Sequence, residues 1–234
     1  SDVCSSDLYG IWCVSWDFMS GLTGRENFGH SLFIGVGAYT AGFLNTTWGL
    51  SPWISLPMAM LLAVMFALVL GFPTLRLKGP YFALAMLSSS VIMQRLMLIF
   101  WEHTGGEEGI QDLAPLIAKP LHYYWLVLAL LGLITWVLAW LAKSRWGLVL
   151  RAIKGDEATC MAVGLPITAY KLGSLMISAA FAGLGGALYA HYQLQVSPQL
   201  FAVVTSITII TMVYVGGDRK STRLNSSHIT ISYA

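Results

Sequence analysis

Residues 121–142 contain no charged side chain. A helix rises 1.5 Å per residue, so about 20 apolar residues cross the ~30 Å hydrocarbon core of a bilayer. In water such a segment needs burial on every face. Residues 53–75 and 172–192 have the same character, and 80–101 shares it but for Arg95. Residues 28–50 are apolar but rich in glycine, and 9–22 and 201–217 are shorter runs. Seven spans are therefore predicted, and the fold class is all-α, a polytopic transmembrane helical bundle. Only 10% of the 234 residues are charged and 56% are hydrophobic. Soluble domains carry about a quarter charged residues, so a soluble core is excluded.

The positions of the charges set the orientation, because cytoplasmic loops are enriched in Lys and Arg. The connection after residue 142 holds Lys143, Arg145, Arg151, Lys154 and Lys171; the turn Arg76-Leu77-Lys78 is basic, and Arg25 precedes the second span. Alternating the spans places all three on one side. The other side receives residues 45–51, then the acidic stretch with Glu102, Glu107, Glu108 and Asp112 against Lys119, then the uncharged 193–199. Residues 144–171 are thus expected in the cytoplasm. Trp48, Trp53, Trp101, Trp125 and Trp146 lie near span ends, as interfacial aromatics do.

Two stretches carry small residues at helical spacing. Ser174, Ser178, Ala182, Gly186 and Ala190 recur every fourth position, with Ala179, Gly183 and Ala187 in the adjoining row. Helices in lipid associate through close backbone approach rather than by excluding water, so this helix is expected inside the bundle. The stretch from Gly24 to Gly42 has two readings. Glycines beside His30 can break the backbone to line a translocation path, with Gly29, His30, Gly35, Gly37 and Tyr39 along it. Alternatively they pack, since Ser31 with Gly35 and Ala38 with Gly42 keep small-residue spacing. Arg95, the one charge well inside a span, either faces a bundle interior or path or snorkels outward toward Glu102.

Residues 146–153 read as a loop. Lys154-Gly155-Asp156-Glu157 then makes a turn into a short helix from Asp156 to Val163, with Asp156 as its cap and Gly164-Leu165-Pro166 as its stop. Such a helix either fits a groove on a soluble partner or is a solvated positive-inside loop. Thr104 to Gly109 is an acidic turn flanked by glycine, which either meets a partner or an ammonium group or is simply solvated. Its oxygens are too few and too close for a hard-cation loop.

No catalytic set emerges from the sequence. His30, His103, His122 and His191 are scattered, and Cys4, Cys13 and Cys160 lack metal-ligand spacing. There is no phosphate-binding lysine loop, so this chain is not expected to hydrolyse ATP, and no cofactor or metal is expected here. An intramembrane enzyme needs paired carboxylates or clustered histidines at membrane depth. A channel or secondary carrier favours ion-coupling acids inside spans, where only Asp17 stands.

The stretch RAIKGDEATCMAVGLPITAYKLGSLMISAAFAGLGGALYAHY resembles the coupling loop and following helix of permeases of branched-chain amino acid ABC transporters, of the M type. FGHSLFIGVGAYTAG, PTLRLKGPYFALAMLS, HTGGEEGI and SPQLF before a run ending in VGG add to it, in family order, across nearly all of residues 9–217. The resemblance implies an importer permease working with a second permease, cytoplasmic ATPases, a periplasmic binding protein and an amino-acid substrate. It implies a multi-pass place in the lipid of the bacterial inner membrane and no nucleic-acid partner. It also implies that Glu157, Ala158 and Gly164 belong to the loop that seats on the ATPase, beside Arg151, Lys154 and Asp156. Thr159 stands where the family loop has a second alanine. A urea or amide cargo stays open. Residues 1–8 and 218–234 are polar and unlike the rest, as vector- or adapter-derived translations are, which confines the permease domain to 9–217. The resemblance implies further spans beyond both of those limits.

Overall fold

The computed structural model describes residues 2–77, 80–117 and 119–217. Among them are ten α-helices: α1 (Asp2–Thr23), α2 (His30–Trp48), α3 (Pro52–Thr74), α4 (Tyr81–Ile99), α5 (Trp101–Thr104), α6 (Pro120–Lys143), α7 (Arg145–Gly155), α8 (Glu157–Ala162), α9 (Ile167–Gln193) and α10 (Val203–Gly217). A 3₁₀ turn, Pro198–Phe201, precedes α10. The only extended pairing among the described residues is an isolated antiparallel bridge between Ile110 and Val196. Each of the seven predicted segments is helical. Four helices, Pro52–Thr74, Tyr81–Ile99, Leu121–Lys143 and Ile167–Gln193, are long and apolar enough to cross a membrane. Acidic residues in α1 and glycines in α2 lower their hydropathy, and α10 is short.

α9 is the hub. It packs against α1, α2 and α3, and 56% of its span is buried, against 17% for α4 and α6. The outward faces of α4 and α6 expose Ile92, Trp125, Trp136 and Trp140, a surface suited to lipid. Small residues decide how close α9 approaches its neighbours. A methyl group on Gly37 would stand 2.1 Å from the Gly183 carbonyl oxygen, and one on Gly186 would stand 2.1 Å from that of Ile34. Ser174, Ser178, Ala182, Gly183, Gly186 and Ala190 are all buried. Polar links reinforce the seam: Ser178 Oγ donates to Ser15 O at 2.6 Å, and Ser15 Oγ shares a 3.1 Å hydrogen bond with His30 Nε2.

α2 runs unbroken from His30 to Trp48, and the residues considered for a translocation path are packed. Gly29 lies against the Met86 backbone and Gly35 against the Phe201 ring. His30 is fully buried, and Tyr39 tilts onto Phe201 at 5.6 Å. Their small volumes and ring edges serve close approach, not an opened backbone. Arg95 is exposed on α4 and does not face the bundle interior. No ion pair joins it to Glu102 among the described residues. α4 ends at Ile99, and Glu102 lies in the separate α5, beyond the break at Phe100.

Two loop expectations are corrected. Residues 2–8, read as a polar tail, continue α1 in the structure, because Leu8, Ile11, Trp12 and Ser15 form one buried stripe at helical spacing. Residues 145–155 form α7, since Gly147, Leu150 and Ile153 share a buried face. Trp146 stacks on Phe18 at 6.3 Å and leans on Tyr170 at 6.2 Å, so it is packed, unlike the exposed Trp48, Trp53, Trp101 and Trp125. The second expected tail, 218–234, and Lys78 of the basic turn lie outside the described residues.

Candidate functional site

The basic loops meet at one end of the bundle. Arg25 Nη1 donates to Leu77 O at 2.9 Å, joining the α1–α2 link to the turn after α3. Lys154 Nζ donates to Gly21 O at 2.9 Å, where the last turn of α1 leaves carbonyls without helical partners. At the opposite end the acidic loop folds onto the chain after α9. Ile110 and Val196 exchange backbone hydrogen bonds, and His191 bridges Ala114 O at 2.9 Å and Ser55 Oγ at 3.0 Å. Glu107 and Glu108 of the glycine-flanked turn are exposed. The loops thus sort into the two sides that alternation of the spans requires.

α8 protrudes at the basic end as a short knuckle. Asp156 caps it, its Oδ1 accepting from the backbone N–H of Ala158 at 2.9 Å and Thr159 at 3.1 Å. Gly164, at φ +82°, ends it in the left-handed region that glycine adopts without strain. Cys160, Ile153 and Ile167 form a small apolar cluster that seats α8 on α7 and α9. Met161 (56% exposed) and Val163 (77% exposed) face outward at its tip. Arg151, Ala158 and Gly164 are exposed beside them.

The Glu157 side chain points the other way. Its Oε2 accepts from Lys171 Nζ at 2.8 Å and from Arg25 Nη2 at 3.2 Å. The Lys171 side chain is 2% exposed, that of Arg25 13% and that of Glu157 41%. One carboxylate therefore ties the knuckle to the foot of α9 and to the α1–α2 link. Sequence reasoning chose Glu157 for contact with a partner and overlooked Arg25 and Lys171 as its clamp. A signal existed: Lys171 shares the helical stripe of Ser174 and Ser178, where a buried ammonium needs an anion.

Burial works against the ionised form of Glu157, but the hydrogen bond and charge of Lys171, then those of Arg25, outweigh it and hold the carboxyl below its usual range. This contribution to stability is fully present above the ordinary glutamate value of about 4.3 and is lost as pH falls through the lower folded value. The melting temperatures of the native protein and of Glu157→Gln should therefore differ at neutral pH and converge in acid. Hydrogen bonds from Thr159, side chain and backbone, hold Asp156 low as well. Asp156→Ala is expected to fray α8, read as faster amide exchange at Ala158 and Thr159. Among the described residues no group of His, Cys, Asp and Glu gathers in a way that could hold a metal ion.

The family model for the permease component of the branched-chain amino acid transport system matches residues 3–228. The chain belongs to this family. It is 32% identical to the high-affinity branched-chain amino acid transport system permease proteins LivM of Salmonella typhimurium and of Escherichia coli, in each case over 90% of this chain and 56% of the relative. It is 25% identical to a probable LivM of Methanocaldococcus jannaschii, over 90% of this chain and 72% of that protein. The chain spans a little over half the length of the first two relatives. No solved structure matches it. With its four apolar helices, this member of the permease family is a multi-pass membrane protein.

Proposed function

We propose that the chain is the membrane-spanning permease subunit of an ATP-driven importer of branched-chain or related amino acids in the bacterial inner membrane. Its partners are a second permease, cytoplasmic ATPases that hydrolyse the ATP, and a periplasmic binding protein that delivers the amino acid. The observation that carries the reading is α8. A capped helix of six residues presents Met161 and Val163 to solvent at the basic end, while Glu157 anchors it from behind. Exposed apolar side chains on a rigid, charge-flanked knuckle suit a groove on a soluble partner.

Glu157 transmits displacement of α8 to Lys171, and so to α9, and through Arg25 to the α1–α2 link. α9 has no interruption over 27 residues, so it moves as a rod about 40 Å long. The close contacts of Gly183 and Gly186 oblige α2 and α3 to follow it. The ATPase supplies energy, and this chain converts it into tilts of the bundle.

Cysteines at Met161 and Val163, introduced singly into the assembled transporter, should cross-link to the ATPase. They should react with maleimide only when the cytoplasmic side is accessible. Reaction from the periplasmic side, or the absence of any cross-link to the ATPase, would overturn the reading. Met161→Asp should lower ATPase co-purification at least tenfold, because one charge would enter an apolar groove.

A further inference from the structure

At the end of the bundle away from the knuckle lies a polar pocket of about 190 Å³ that the coupling scheme does not use. Its walls include Tyr9 of α1, Tyr189 and Gln193 of α9, Gln195 and Gln199 of the connection, and Thr205 in the first turn of α10. One ordered water needs only about 10–15 Å³ of such space, so the pocket has room for a small molecule. The aromatic side of the pocket is packed, while Gln193, Gln195 and Gln199 are exposed to solvent. Trp12, fully buried, holds Tyr9 edge-on at 4.8 Å and Tyr189 at 5.4 Å. Gln193 Nε2 donates to the Tyr189 hydroxyl at 3.0 Å, and Thr205 Oγ1 donates to Gln199 O at 3.3 Å. Leu194 takes φ +58° to turn the chain out of α9. This conformation costs a leucine of order 1 kcal/mol, and the bond from Leu113 N–H to Leu194 O holds it.

The chemistry of the walls selects the ligand. No lining residue is charged; amides and hydroxyls supply both donors and acceptors, and Leu200 adds an apolar wall. A lone cation or anion would find no counter-charge here. A net-neutral molecule with both groups would find partners for each: amide and hydroxyl hydrogens for a carboxylate, amide and hydroxyl oxygens for an ammonium. We propose that this pocket is an outward-side holding site for a small zwitterionic α-amino acid. The proposal rests on the permease reading and adds the place where cargo waits. Tyr189 and Lys171 lie on one uninterrupted helix, about 27 Å apart along its axis, so the pocket and the Glu157 clamp share a rigid element.

The test uses the complete transporter in proteoliposomes, with a cysteine at Gln195 as reporter and one at Ser197 as a second. L-Leucine should slow modification by a membrane-impermeant thiosulfonate about tenfold. Leucinamide and 4-methylpentanoate share the side chain but keep one charge each, and they should not protect. Adding Gln193→Leu or Tyr189→Phe should raise the leucine concentration for half-protection at least tenfold, the effect of one hydrogen bond to a charged group. Protection by all three compounds alike, or no protection at either cysteine while the native transporter imports leucine, overturns the pocket and leaves the permease reading standing. Failure of the native transporter to import any amino acid overturns both.

Discussion

Gly37→Ala and Gly186→Ala should each lower the melting temperature of the purified protein by roughly 5–10 °C, as expected for overpacking by about 2–3 kcal/mol. The added methyl would meet a backbone carbonyl oxygen at 2.1 Å in both cases. Backbone at the centre of a helix cannot turn aside as a side chain can, so the two helices must separate. Separation breaks contacts along the whole α2–α9 seam, and in lipid no hydrophobic force closes it again. Gly35→Ala should cost less, because its obstacle is the Phe201 ring, which can shift. Gly132→Ala is the control: nothing lies within 4 Å of the new methyl on exposed α6, and the change should leave stability equal or slightly raised. If all of these variants melted together, close approach would not be what holds α9 at the hub.

Glu157→Lys should have the largest effect on transport. It removes the acceptor shared by Lys171 and Arg25 and adds a third positive charge beside them. Removing one partner from a fully buried pair costs about 3–5 kcal/mol; with Glu157 at 41% side-chain exposure, about 1–3 kcal/mol is expected once solvent screening is counted. The functional loss should exceed the loss of stability. On the proposed reading, Met161 and Val163 are still free to meet the ATPase, but the knuckle no longer pulls on α9. Uptake per ATP hydrolysed should fall at least tenfold while the ATPase still co-purifies. Glu157→Gln keeps a neutral acceptor and should fall between the two. Native uptake per ATP in Glu157→Lys would sink the proposal that the clamp transmits motion. Gly164→Val tests the same element by another route: at φ +82° with open space around it, its penalty is conformational, not a clash.

Much of the molecule was legible in the sequence because the relevant physics is local. Apolar run length marked the helices, charge alternation between loops marked the two ends, and the four-residue recurrence from Ser174 to Ala190 marked the buried edge of α9. Asp156 was recognisable as a cap because its partners, Ala158 and Thr159, are two and three residues away. The family resemblance was legible because several motifs recur in order along the chain. What only the tertiary structure decided involves residues far apart. Sequence could place Glu157 on a short helix among the basic loops, but its direction depends on Lys171 and on Arg25, which lies 132 residues earlier. The glycines of α2 were compatible with an opened backbone or a tight seam until Gly37 met Gly183. Residues 146–153 read as loop because their average polarity hides a one-sided stripe. Hydropathy and charge are sums over neighbours along the chain, whereas a side chain's partner is set by which helices lie side by side.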